Sequence, residues 1–196
     1  MKLGKFRHFY FPRDPVPFEE KKPASVWRGG AHNRKRVELL RRYRGHALCD
    51  VGYTHVNPTD NRYSPFLHPT EQMAFRYIIS VEGNDVASNL KWILASNSLC
   101  IMPAPVYETW FMEGRLKAGE HYVQVSDDFA DLEEKILYYE RHPDEAKEII
   151  RNANRYVEPF FDARLEQILS LLVMYKYFVA TGQIEADPTL AELVGI

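Results

Sequence analysis

The sequence predicts an α/β protein built on a Rossmann-like, mainly parallel sheet flanked by helices. Three observations carry that prediction. Short apolar runs rich in β-branched and aromatic residues, clearest in Tyr77-Ile78-Ile79-Ser80-Val81, alternate with helical stretches of about 10–15 residues. Glycine-bearing or polar turns separate each run from the helix that follows it. The chain is 196 residues long, 45% apolar and 27% charged, which is the composition of one globular domain.

Residues 1–23 hold FYFPRDPVPFEEKKP and read as an extended segment, because residues before proline disfavour helix. Ala24-Ser25-Val26-Trp27 is a first short strand ending at Arg28-Gly29-Gly30. Residues 33–44 form a basic helix with Val37, Leu40 and Tyr43 on one face. His46 to Val51 is a second strand, and 52–68 a long polar loop. Thr70 is the expected N-cap of a short helix. The strand at 77–81 runs into Glu82-Gly83-Asn84-Asp85 and a helix from Val86 to about Ala95. Ser98 to Met102 is the next strand, stopped by Pro103 and Pro105. Residues 106–114 read as a short helix closed by Gly114. His121 to Val125 is a further strand. Ser126 then caps a helix over about 129–141, and Pro143 starts another to about 157. A long amphipathic helix is expected over 162–180 with Gly182 as its stop, and 183–196 is weakly specified. The aromatic residues Tyr138, Tyr139, Tyr156, Phe160, Phe161, Tyr175, Tyr177 and Phe178 fall at core-like spacing on these helices.

Charge is balanced overall at −2 but split along the chain. Residues 1–46 carry 13 Lys and Arg against 4 acids, and the remainder is correspondingly acidic. A basic front end suits an anionic partner, or simply a solvated face. No apolar run is long enough to cross a membrane. The start, MKLGKFRHFYFPRD, lacks the apolar stretch of a signal peptide. Cys49 and Cys100 lie in apolar segments and are expected to be free, buried thiols in a reducing compartment. The histidines show no metal-ligand spacing, and no metal site is expected.

In open α/β sheets, ligands sit at the carboxyl ends of strands and at helix N-termini. Two junctions have that form. At Trp27-Arg28-Gly29-Gly30-Ala31-His32-Asn33-Arg34-Lys35-Arg36, two glycines let the backbone approach a ligand. Arg28 and Arg36 bracket the turn and suit a pyrophosphate; the same residues also fit a tight turn before a solvated helix. At Val81-Glu82-Gly83-Asn84-Asp85-Val86-Ala87-Ser88-Asn89, a buried strand opens into small and polar residues. That suits a phosphate on the helix N-terminus, with Glu82 or Glu108 accepting from sugar hydroxyls; Asn84 or Asp85 acting only as a cap is the plainer reading. Neither GxGxxG nor GxxxxGK[ST] is present.

These segments resemble glycosyltransferase family 90, the capsule-associated, Rumi-type and bacterial lipopolysaccharide-modifying enzymes. The likeness is carried by Trp27-Arg28-Gly29 with Arg36, by YIISVEGNDVASNLKWILASNSLCIMP at 77–103, and by VYETWFMEGRLKAGEHYVQVSDDFADLEEKI at 106–136. It covers about residues 23–157. The resemblance implies the C-terminal, donor-binding lobe of a GT-B type glycosyltransferase, acting by inversion without a metal or other cofactor. It divides the chain into an N-terminal segment at 1–23, a nucleotide-sugar-binding domain at 24–160, and a C-terminal helix and tail at 161–196. By position, Arg28, Gly29, Gly30 and Arg36 would face the donor diphosphate. Glu82, Gly83, Asn84, Asp85, Val86, Ala87, Ser88 and Asn89 would cradle nucleotide and sugar, with Glu108 a weaker carry-over. Family members from eukaryotes have Arg where this chain has Asn89, so Lys91 or Arg36 would have to supply that charge. The family's catalytic carboxylate lies upstream of the Trp-Arg-Gly turn. Asp14, Glu19 and Glu20 are the upstream acids here, none in a matching motif, so the catalytic base is unknown.

The expected function is transfer of a sugar from a nucleotide-sugar donor to a glycan or lipopolysaccharide acceptor. The competing reading is a catalytically incomplete nucleotide-sugar-binding fragment without the acceptor lobe. An RNA-binding α/β module is the third reading; the leading one involves no nucleic acid. The expected setting is cytoplasmic, peripheral to the inner membrane, and the long 162–180 helix suggests self-association or a missing partner.

Overall fold

A computed structural model describes residues 11–54, 59–60 and 63–195. The first ten residues of the N-terminal segment and part of the 52–68 loop lie outside them. Among the described residues five strands form one sheet: β1 (Lys22–Gly29), β2 (Cys49–Tyr53), β3 (Phe75–Ile79), β4 (Leu99–Met102) and β5 (Val123–Gln124). All neighbouring pairs are parallel, in the order β2-β1-β3-β4-β5. The fold is therefore the α/β, Rossmann-like sheet that the alternating pattern predicts. The described residues also form seven helices: α1 (Arg34–Tyr43), α2 (Pro69–Gln72), α3 (Leu90–Leu94), α4 (Leu132–Arg141), α5 (Pro143–Val157), α6 (Ala163–Ala180) and α7 (Pro188–Val194).

Burial on both faces explains the apolar runs. Trp27, Tyr77, Ile79, Leu99, Ile101 and Val123 face one layer, packed against Leu39 and Tyr43 of α1, Leu132 and Ile136 of α4, and the first turns of α5. Val26, Ile78, Cys100 and Met102 face the other, under α3, Phe111 and the end of α5. Register aligns Val26 with Ile78 and Ile78 with Cys100, so each layer is continuous across the central strands. Cys49 and Cys100 are free and buried, as expected. Burial pushes the Cys49 thiol up to about 11, which makes it an inert packing group.

Several local expectations change. On α1, Val37 is half exposed and Leu39 is the fully buried residue. The short helix α2 is capped from His68, not Thr70; the His68 amide donates to Glu71 Oε2 at 2.6 Å. The predicted helix from Val86 shrinks to Leu90–Leu94, because Val86 and Ala87 are buried in irregular turns instead. Residues 106–112 are not helical. Met112 takes a left-handed φ of 54°, and only a 3₁₀ turn forms at Glu113–Arg115. The helix expected from 129 starts at Leu132, since Phe129 is itself left-handed (φ 58°) and buried, its carbonyl accepting from Tyr43 Oη at 2.7 Å. The tail contains α7, whose N-terminus is capped by Asp187.

The largest difference concerns α6. It has no buried residue, its apolar side chains are spread around the helix, and its main packing partner is α7. Of the eight helical aromatics expected in the core, only Phe160 is buried; Tyr138, Phe161 and Tyr177 are exposed.

The N-terminal segment is stitched to the amino ends of the strands. Asp14 pairs with buried Lys21 at 2.7 Å and accepts from the Asn97 amide at 2.7 Å. Phe18 joins the first core layer.

Because Leu39 is fully buried against the sheet, Leu39→Ala is expected to lower unfolding free energy by about 2–5 kcal/mol. Denaturant titration followed by circular dichroism measures it; a loss below about 1 kcal/mol would mean that α1 does not close this layer.

Candidate functional site

The strand order fixes where a crevice can form. The chain runs from β1 outward to β2, then returns to place β3 on the other side of β1. The connections therefore diverge between β1 and β3, and their carboxyl ends leave a gap. A cleft of about 790 Å³ opens there, a size suited to a small-molecule ligand. Gly29, Gly30 and Val81 line its floor, His32 and Arg36 one side, and Phe66, His68 and Trp92 the other.

Helix α1 holds this point together. Asn33 is its N-cap: Oδ1 accepts from the Arg36 amide at 3.0 Å, while Nδ2 donates to the carbonyls of Glu82 and Gly83, both at 2.8 Å. The Arg36 guanidinium donates to the carbonyls of Val81 at 2.8 Å, Glu82 at 3.1 Å and Gly30 at 3.2 Å. Four carbonyls beyond the ends of β1 and β3 are thus satisfied by two side chains. Sequence reasoning singled out Arg36 and missed Asn33. The Ser/Thr/Asp/Asn cap signal could have found its first role, but not its bonds to residues about fifty positions away.

Arg36 supplies the charge. Among the described residues no carboxylate lies within ion-pair distance of it. Burial presses its pKa down, yet guanidinium stays protonated at neutral pH. One N–H on each of its three nitrogens is engaged by a carbonyl, which leaves two of its five donors for a ligand. The first turn of α1 has no acid and carries Arg34, Lys35 and Arg36. Basic groups oppose the partial positive charge of a helix N-terminus, so an anion bound there relieves the repulsion.

Other expected residues take different places. Arg28 lines the cleft, but its Nη2 pairs with Asp50 at 2.7 Å, its Nη1 donates to the carbonyls of Trp27 and Asp50, and its Nε donates to the Pro65 carbonyl, so its charge is already cancelled by a carboxylate. Gly29 and Gly30 do line the floor. The reason glycine is needed is internal: a Cβ at 29 would lie 2.6 Å from the Trp27 ring, and one at 30 would lie 2.2 Å from His32 Nε2. Gly83 sits against Arg36, where a Cβ would approach Nη2 to 3.2 Å. Glu82 Oε1 accepts from the amides of Val106 and Tyr107 at 2.9 and 3.0 Å, so this carboxylate pins the loop after β4. Asn89 ties Ser80 to the Ile79 carbonyl and lines the cleft with Ser88. Asn84 and Asp85 are exposed on the turn, whereas Val86 and Ala87 turn inward. Glu108 is outside the cleft, beside Gly114.

Lys91 cannot supply phosphate charge. It is buried, pairs with buried Glu113 at 3.0 Å, and lies over the rings of Trp110 and Phe111. Nor do the upstream acids reach the cleft: Asp14 and Glu19 are tied to Lys21 and Lys147 at the opposite end of the strands. Among the described residues no group of three or more His, Cys, Asp or Glu side chains stands together as a metal site, and no helix is long and apolar enough to cross a membrane.

Comparison with known proteins gives the same direction. The family model described as Glycosyl transferase family 90 matches residues 11–177. O-glucosyltransferase LpsA of Dichelobacter nodosus is 54% identical over 179 residues, which cover 91% of this chain and 56% of that protein. Protein O-glucosyltransferase 2 of Danio rerio is 29% identical over 139 residues, covering 67% of this chain and 28% of its own length. The chain thus spans little more than half of the first relative and less of the second.

The Lys91–Glu113 pair generates a stability prediction. Burial raises the Glu113 carboxyl, but Lys91 and the Thr109 amide and hydroxyl outweigh it, so its pKa is depressed below 4.5. A depressed acid stabilises above its unfolded pKa and loses that contribution as pH falls through the folded value. Glu113→Gln should cost about 3–5 kcal/mol at pH 7, because it strands a buried ammonium. The gap to wild type should shrink below about pH 4.5. Thermal melts across pH 3–7 check it; a gap independent of pH would contradict the pairing.

Proposed function

The chain belongs to glycosyltransferase family 90, and from that premise we propose that it binds a nucleotide-sugar in the β1/β3 cleft and transfers the sugar to a hydroxyl of a glycan or lipopolysaccharide. The observation that supports this most directly is Arg36: a guanidinium held, among the described residues, by carbonyls and the Trp27 ring and by no carboxylate, with donors to spare, at the N-terminus of a helix over the switch point. That is the charge environment a diphosphate requires.

Transfer breaks the bond between the sugar's anomeric carbon and the diphosphate, and charge builds on the departing phosphate oxygen. Preorganised donors aimed at that oxygen lower the barrier without further rearrangement. Arg36 suits this role: its guanidinium is held by the carbonyls of Val81, Glu82 and Gly30, while Asn33 caps its helix and ties it to the Gly83 turn. The acceptor hydroxyl needs a base within hydrogen-bond reach. No carboxylate lines the cleft among the described residues, so we assign no base from this chain. The name of the relative from Dichelobacter nodosus makes glucose the sugar to test first. Inversion and independence of metal follow the family reading, and a setting at the inner face of a membrane follows a lipopolysaccharide acceptor.

Arg36→Ala is expected to weaken nucleoside diphosphate binding by about ten- to a hundredfold, the loss of one or two charge-assisted hydrogen bonds. Gly83→Val should weaken it by displacing the same guanidinium. Isothermal titration calorimetry with UDP, GDP and ADP reads both, with Arg36→Lys as the charge-preserving control. Unchanged affinity in both variants would remove the donor site from this cleft.

A further inference from the structure

The two sides of the cleft differ in chemistry. The α1 side is cationic, through Arg36. The opposite side, from the loop ahead of α2 and from α3, presents Phe66, His68, Pro69, Gln72 and Trp92, with no carboxylate among them, and the guanidinium of Arg28 beside Pro65 is already paired with Asp50. Phe66 is 61% exposed although it lies within the cleft, and its ring meets His68 edge-on with centroids 5.1 Å apart.

Phe66 stands on a braced stem. Arg28, fixed by its ion pair with Asp50, donates from Nε to the Pro65 carbonyl at 3.0 Å. The Ser64 amide donates to the Tyr53 carbonyl at 2.8 Å. Gly52 on β2 makes room for both supports, since a Cβ there would fall 2.5 Å from Ser64 Cβ and 2.9 Å from Arg28 Cδ. An apolar ring left in water on a rigid support is preorganised to accept another surface.

We propose that Phe66, flanked by His68, is the platform that receives the hexose carried by the diphosphate and so sets donor-sugar specificity. This rests on the donor-site reading above. A hexose is neutral, which matches a wall whose one guanidinium, Arg28, is already neutralised by Asp50. Its C–H face is weakly electropositive and suits the negative face of an aromatic ring. Its hydroxyls find a partner in the imidazole nitrogens of His68, which can donate or accept.

The test compares UDP, GDP and ADP with their glucose conjugates by calorimetry, in wild type, Phe66→Ala and Phe66→Trp. With the conjugate that wild type binds, Phe66→Ala should raise the Kd about tenfold, the scale of a lost ring-stacking contact. The Kd for the matching free diphosphate should stay unchanged, and Phe66→Trp should bind the conjugate as wild type does. Phe66 is exposed, so unaltered melting curves confirm that the variants are folded. Equal weakening of diphosphate and conjugate would show that the ring reads the base, and no weakening of either would show that it reads nothing; each overturns the proposal while the donor site stands. Wild type binding none of the six nucleotides would overturn both.

Discussion

Four carbonyl oxygens beyond the ends of β1 and β3 decide how this molecule is arranged. In a parallel sheet the chain must leave each strand end for a helix, and the departing carbonyls lose their ladder partners. Left unpaired in a half-buried crevice, each would cost about 1–3 kcal/mol. Here Asn33 and Arg36 answer all four. The same bonds set the position of α1, hold the 81–83 turn, and, through Glu82, fix the loop at Val106 and Tyr107. The cleft is the space that this arrangement leaves over the switch point.

Charge follows the same logic of internal satisfaction. Among the described residues, three basic groups of the front pair with acids of the remainder: Arg28 with Asp50, Lys35 with Asp127, Arg42 with Asp128. Part of the sequence-wide split of sign thus becomes a set of local pairs. Arg36 differs because its partners among the described residues are neutral carbonyls and the Trp27 ring, so no carboxylate there cancels its charge.

The strands were legible because a sheet covered on both faces demands unbroken apolar runs, and few sequences produce those otherwise. The site was legible in outline for a related reason: turns after buried strands converge on one edge, so the Arg28–Arg36 and Glu82–Asn89 segments had to meet near it. Individual roles were not. Arg28, Glu82 and Lys91 look alike in sequence as free polar groups, and each is bound to something dozens of residues away or behind a ring. Phe66 carried no signal at all, since one aromatic in a polar loop has no period. The aromatic residues of α6 misled for the opposite reason: periodicity shows that a helix has apolar surface, and cannot show that anything covers it.

That uncovered helix bears on how the molecule melts. The hairpin of α6 and α7 adds no side chain to either sheet layer, so its order is only weakly tied to that of the sheet. Cooperativity requires shared burial. The hairpin should fray at free energies well below global unfolding, exchanging its amide hydrogens while β3 and β4 remain protected. A single melting temperature would then describe the sheet and its close-packed helices, and say little about the last thirty-odd residues of the chain.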